Sequence, residues 1–147
     1  MIYLDEQIEE ILDNITQKLK DAKNSGELKI KSVVRGDKAN YTPSLPSLWI
    51  YTRTLTPSHS TSLKEHWEMP VVLEIVTENS KSVEEGYKES TKLAAKARSI
   101  ILQDRGLGIK SVSDVTSGQF FPSGPGLSDG KLFSSMAILN VKFFTFE

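Results

Sequence analysis

Residues Glu65–Glu78 read E-H-W-E-M-P-V-V-L-E-I-V-T-E, and Trp67, Met69, Val71, Leu73 and Ile75 recur in them at every second position. Side chains of a strand alternate between faces, so this row predicts a long strand with one face buried. Burying the five side chains is worth roughly 1.5–3 kcal/mol each, on the order of 10 kcal/mol before ordering entropy is subtracted. The period changes after Asn79. Ser82 followed by Glu85 has capping-box spacing, the hydroxyl serving one free N–H and the carboxylate another. Val83, Tyr87, Ala94, Ala97 and Ile101 then share one helical face, widened by Leu93 and Ile100, while Lys88, Lys92, Lys96 and Arg98 lie largely off it. Gly106 is placed to supply a left-handed stop. A long strand running into a helix of about six turns is the expected centre of the fold. Trp67, Val71, Leu73, Ile75, Ala97 and Ile101 are its expected core.

Upstream, Leu4, Ile8, Ile11, Leu12, Ile15 and Leu19 repeat at helical spacing. Acids crowd the first turns and Lys18, Lys20 and Lys23 the last, as the helix dipole favours, with Asp5 a candidate cap and Asn24-Ser25-Gly26 the stop. The acidic face reads as solvated, with an interaction surface as the alternative. Leu28–Val34 alternates apolar and cationic residues, the pattern of a strand with one wet face. Gly36–Ser47, with Pro43 and Pro46, reads as a loop, Leu48–Leu55 as a second strand and Thr56–Ser60 as a turn. Leu48–Leu55 and Leu63–Glu78 are expected to pair as a hairpin.

Downstream, a modestly apolar strand is expected from Leu107 to about Thr116, and an irregular loop from Gln119 to Lys131, rich in glycine, proline and serine. In the closing strand, Phe133–Phe146, Ala137, Leu139, Val141 and Phe143 share one side. Met136, Ile138, Phe144 and Phe146 fall mostly on the other. Apolar residues on both sides predict a strand covered twice, by its own helices and by something else, such as another subunit. The order α-β-β-β-α-β-β, with helices separated by antiparallel strands, predicts an α+β fold: one domain over 1–147, a mostly antiparallel sheet, two helices on one face and mobile loops at about 36–47 and 119–131.

Composition narrows the function. A chain of 147 residues with net charge −1 has no global field to recruit nucleic acid or anionic lipid. The absence of cysteine excludes disulfides, zinc–thiolate sites and a thiol nucleophile. There is no signal-peptide pattern at the start and no apolar run near the ~20 residues a membrane span needs, so a soluble protein without a secretion signal is expected. His59 and His66 lack ligand spacing, the serines lack a nucleophile elbow, and Gly106-Leu107-Gly108 lacks the rest of a phosphate loop. The element order is also that of the PD-(D/E)xK nucleases, but the second strand, W-I-Y-T-R-T-L, has no acid and the third has Val76 where their lysine belongs. Lys29, Lys31 and Arg35 with Trp49 and Tyr51 would make a sparse nucleic-acid face; a solvated sheet face is the better reading. Neither catalytic residue, metal nor cofactor is expected.

Four short signatures remain: L-P-S-L-W-I (Leu45–Ile50), E-M-P-V-V-L-E-I (Glu68–Ile75), R-G-L-G (Arg105–Gly108) and V-S-D (Val112–Asp114). With the element order over nearly the whole chain, they resemble the phage tail-terminator and tail-to-head joining proteins of long-tailed viruses. That resemblance implies a non-enzymatic virion protein, present in the host cytoplasm during assembly. It would form a ring, typically of about six copies, on the last turn of the tail tube. There it would stop tube polymerisation and offer a surface to the head–tail connector. Its partners would be itself, the tube protein and the connector, without membrane or sequence-specific nucleic acid. Trp49, Tyr51, Phe120, Phe121, Phe144 and Phe146 are the candidate partner-binding residues, because exposed aromatics dominate interface energetics. Both irregular loops are candidate docking elements, and deleting Ser123–Asp129 is expected to spare folding and abolish docking. The alternatives are a protein-binding module that adds a strand at an open sheet edge and, more remotely, a degenerate nuclease.

Overall fold

The computed structural model describes residues 3–36, 43–60, 64–122 and 132–146. Its elements are α1 (Leu4–Ser25), β1 (Ser32–Arg35), β2 (Ser47–Thr52), β3 (Thr56–Ser60), β4 (Lys64–Glu78), α2 (Val83–Leu102), β5 (Val112–Phe121) and β6 (Leu132–Phe146). The fold is α+β, with one more strand than the sequence pattern predicts. The six strands form one sheet in the order β1-β2-β4-β6-β5, with β3 also paired to β4.

The centre is the β4–β6 pair, antiparallel from Lys64↔Phe146 to Glu78↔Leu132. β2 takes the C-terminal half of β4's other edge, from Thr52↔Val71 to Ser47↔Val76, and β3 takes the N-terminal half. Thr56–Ser60 is therefore a strand and not the expected turn. T-P-S-H-S carries no apolar alternation, and Pro57 is tolerated because β3 is an edge strand. β1 is also shorter than expected. Leu28 and Ile30 are buried in the core, but they do so from the link after α1, whose Leu28 N–H donates to Ala22 O at 3.1 Å. β1 pairs with β2 in parallel, the one parallel ladder among the described residues. β5 begins five residues later than expected and runs to Phe121, into the stretch expected to be loop. Residues 37–42 and 123–131, the centres of the two expected loops, lie outside the described residues.

Both helices lie on one sheet face. Asn14 Nδ2 donates to Leu107 O at 2.9 Å, Lys18 meets Asp104 at 3.3 Å, and Glu27 meets Lys96 at 3.7 Å. Position rises along α1 as it falls along α2, so the helices are antiparallel. Between them and the sheet sit Ile11, Ile15 and Leu19 of α1, Ala94, Ala97 and Ile101 of α2, Leu73 and Ile75 of β4, and Ala137, Leu139 and Val141 of β6. The α1 row is the predicted one. Its N-cap is Tyr3, without a side-chain bond, so Asp5 sits in the first turn and is not the cap; Gly26, at φ 83°, ends the helix in the left-handed region.

Ser82 caps α2 as expected, its Oγ accepting from Glu85 N at 3.2 Å. The Ser82 N–H, however, donates to Asn79 Oδ1 at 2.9 Å and not to the Glu85 carboxylate that a capping box would use. The first turn departs from the expected stripe. Val83 is 56% exposed, and Gly86 is the residue that faces the sheet. A Cβ on Gly86 would overlap the ring of Phe133, which is fully buried and stacks obliquely on Tyr87 at 5.5 Å. A hydrogen in place of a methyl lets α2 lie on that ring. The helix ends at Leu102, earlier than Gly106, and the positive φ values fall on Leu107 (55°) and Gly108 (69°).

Candidate functional site

The sheet face that carries no helix is the more informative surface. Strand alternation places Trp49 and Tyr51 of β2, Val72, Glu74 and Val76 of β4, and Ser134, Met136 and Ile138 of β6 on it. β4 is buried on both faces and not on one as its alternation predicts: Val72 is fully buried and Val76 is 6% exposed. One cross-strand row runs the width of the sheet. Trp49 is opposite Glu74, Glu74 opposite Met136, and Met136 opposite Phe121 of β5.

Glu74 is at the middle of that row, 5% exposed. The Tyr51 hydroxyl donates to its Oε1 at 3.0 Å and Ser134 Oγ donates to its Oε2 at 2.6 Å. Both donors are diagonal neighbours on the adjacent strands, within reach of a long side chain across a pleated sheet. Tyr51 also lies 3.7 Å from Met136 Sδ, and the Arg53 guanidinium sits 5.9 Å from its ring centre. Burial, reinforced by the Glu74 charge, pushes the Tyr51 hydroxyl up to about 12. Strand alternation alone puts Glu74 opposite the apolar row; its burial and its two hydroxyl partners had no signal in a sequence read strand by strand.

The six candidate aromatics divide. Trp49 is 2% exposed, which corrects the expectation that it is an exposed interface aromatic; its Nε1 donates to Ser47 Oγ at 3.0 Å. Phe120 lies opposite Ala137, on the helix side, and packs against the core. Tyr51 is half-buried in the Glu74 cluster, and Phe121 is 41% exposed at the end of the same row. Phe144 is far along β6, half-buried, with Lys64 Nζ 4.5 Å above its ring centre and His66 beside it. Phe146 pairs through its backbone with Lys64, and its side chain lies outside the described residues. The structure therefore brings Tyr51, Met136 and Phe121 together and leaves Phe144 at the other end of the sheet. Met136 was missed as part of this site, although its place in the alternation of β6 was legible.

Other readings can be placed on the same geometry. Arg35, part of the sparse basic face, is held by Glu9 at 3.0 Å and Asp13 at 2.6 Å on α1. The β5 edge has register shifts at Val112/Asp114 and Ser117/Phe120, and Arg105 Nη1 reaches Val115 O at 3.5 Å. Such irregularities blunt an edge against strand addition. Among the described residues no three His, Asp or Glu side chains gather as a metal site, and no helix is long and apolar enough to cross a membrane.

The fold and this face define the class: an α+β chain whose long central antiparallel strand pair, β4 and β6, carries two helices on one side and an aromatic and carboxylate row on the other. No protein-family model matches the chain, and no curated protein does. Among solved structures it is similar to a chain of the virion of a native gene transfer agent particle, at 8% identity and a TM-score of 0.58. The likeness covers 89% of this chain and 92% of that one, so it is a likeness of the whole fold.

Proposed function

We propose that this chain is a structural, non-enzymatic protein of a phage-like virion, which caps the tail tube as a ring, terminates tube polymerisation and joins the tail to the head connector. One observation carries the reading: the fold is shared over nearly the full length of both chains with a component of a virion particle. The sheet adds physical support. β4 and β6 have apolar residues on both faces: on the helix-free face Val72 and Val76 are already buried within the chain, while Met136 and Ile138 of β6 stay partly exposed. This face, where the Tyr51 hydroxyl touches Met136 and Met136 lies opposite Phe121, is the surface we assign to the tube or the connector. A ring needs heterologous contacts that close, and about six copies is the expected number.

The test is to polymerise tail-tube protein with and without this chain and to image the tubes. Shorter tubes ending in a ring of this protein are the expected result. Tubes of unchanged length with bare ends would overturn the reading.

A further inference from the structure

Two well-separated surfaces of the helical layer carry a charge excess of opposite sign, acidic on one and basic on the other. Because α1 and α2 run antiparallel, the first turns of α1 lie beside the turn that precedes β5, while the link after Gly26 lies beside the middle of α2. The first half of α1 has five acids, Asp5, Glu6, Glu9, Glu10 and Asp13. Arg35 takes Glu9 and Asp13. Glu6 and Glu10 remain exposed and without an ion pair among the described residues, on the wall of a cavity of about 410 Å³ that also holds Lys110. Gln7 and Ser111 in the same wall are 2% and 3% exposed, and Gln7 Nε2 and Ser111 Oγ have no hydrogen-bond partner. Buried polar atoms are nearly always satisfied, so this surface has polar capacity in reserve.

The other surface has a groove of about 390 Å³, with Lys29, Lys92 and Lys96 set against Glu27 and Glu89, and Leu93 as its apolar member. Lys96 is paired to Glu27 at 3.7 Å; Lys29 and Lys92, both exposed, have no ion pair among the described residues. Lysine stems can cover an apolar residue such as Leu93 while their ammonium groups reach outward.

We propose that these two surfaces meet between copies of this chain, the Glu6 and Glu10 cavity of one protomer receiving the Lys29 and Lys92 groove of the next. The occupant is a second copy because both complementary surfaces are on the same chain, one beside the start of α1 and the other beside the middle of α2, too far apart to meet within one copy. Such a contact is head-to-tail, the kind that generates rings. It rests on the ring reading and gives it a specific interface. Exposed ion pairs are individually weak and screened by salt, so the association should weaken as ionic strength rises.

The test uses two charge-reversed variants of the full chain, Lys29→Glu with Lys92→Glu, and Glu6→Lys with Glu10→Lys. All four positions are exposed, so both variants keep the fold, which circular dichroism would check. In light scattering over a concentration series, each variant alone should associate more weakly than wild type by about tenfold or more. An equimolar mixture should recover, because every contact then joins an acidic surface to a basic one. Variants that assemble like wild type, or a mixture that stays dissociated, would overturn the contact and leave the ring reading standing. Open chains or dimers that follow the charge pattern but never close on tubes would sink the ring reading and keep the contact. A wild-type chain monomeric at every concentration, with and without tube, would overturn both.

Discussion

Glu74 is a carboxylate at the centre of a sheet face, and such a group is costly to bury unless its oxygens are occupied. Tyr51 and Ser134 occupy them. Glu74→Ala removes the acceptor and strands two hydroxyl donors, so it should cost about 1–3 kcal/mol by urea unfolding. Glu74→Gln keeps an acceptor and should cost less than half of that; equal losses from both variants would show that volume, not hydrogen bonding, sets the cost. Tyr51 adds a pH dependence. Its folded value, about 12, is above the ordinary 10, so the folded state favours the neutral phenol. This contribution is fully present below pH 10 and is lost as pH rises through 12. With the ring half-exposed and solvent screening discounted, the loss is about 1 kcal/mol. Tyr51→Phe should therefore flatten the fall in unfolding midpoint above pH 10. An unchanged slope would assign that fall to other groups.

At the scale of elements, α2 and the strands under it show what a sequence can and cannot convey. Ser82 was legible as a cap because capping is local, and Ser82→Ala should cost about 1 kcal/mol. Gly86 was not legible. Its role depends on Phe133, which lies in β6 and meets it only in the folded state. Gly86→Ala adds a methyl to a filled site and should cost about 1–3 kcal/mol, against the gain in helix propensity that the same change gives in an open helix. Thermal unfolding of the two variants would separate them, and a Gly86→Ala variant as stable as wild type would refute the close approach. The same distinction between local and non-local signals explains the strands. β4 and β6 announce themselves by period, since their helix-side rows are continuous. β3 has no such row, and pairs because β4 outruns β2 and leaves an edge to fill. The boundaries of β5 slipped because its bulges break the alternation on which a reading by period depends. The candidate site was half legible: the aromatics were visible one by one, but the row through Glu74 and Met136 needs the register of four strands at once.

At the scale of the whole molecule, the proposed assembly divides the labour between two surfaces, with the helical layer joining copies and the helix-free sheet face meeting the tube or connector. The division makes mutations on the two surfaces separable. Trp49→Ala is a poor probe of docking, since removing a buried tryptophan should cost about 3–5 kcal/mol and unfold part of the population. Phe121 is 41% exposed at the end of the sheet-face row, so Phe121→Asp should change stability by less than about 1 kcal/mol. If the face docks on the tube, this variant should keep the self-association of wild type and lose most of its tube capping, because an added charge must be desolvated against a partner that evolved to meet an aromatic. Light scattering and tube-length imaging on one preparation would read both properties. Capping that survives Phe121→Asp, with self-association also intact, would move the docking surface off this face and toward the distant end of β6, where Lys64 lies over Phe144.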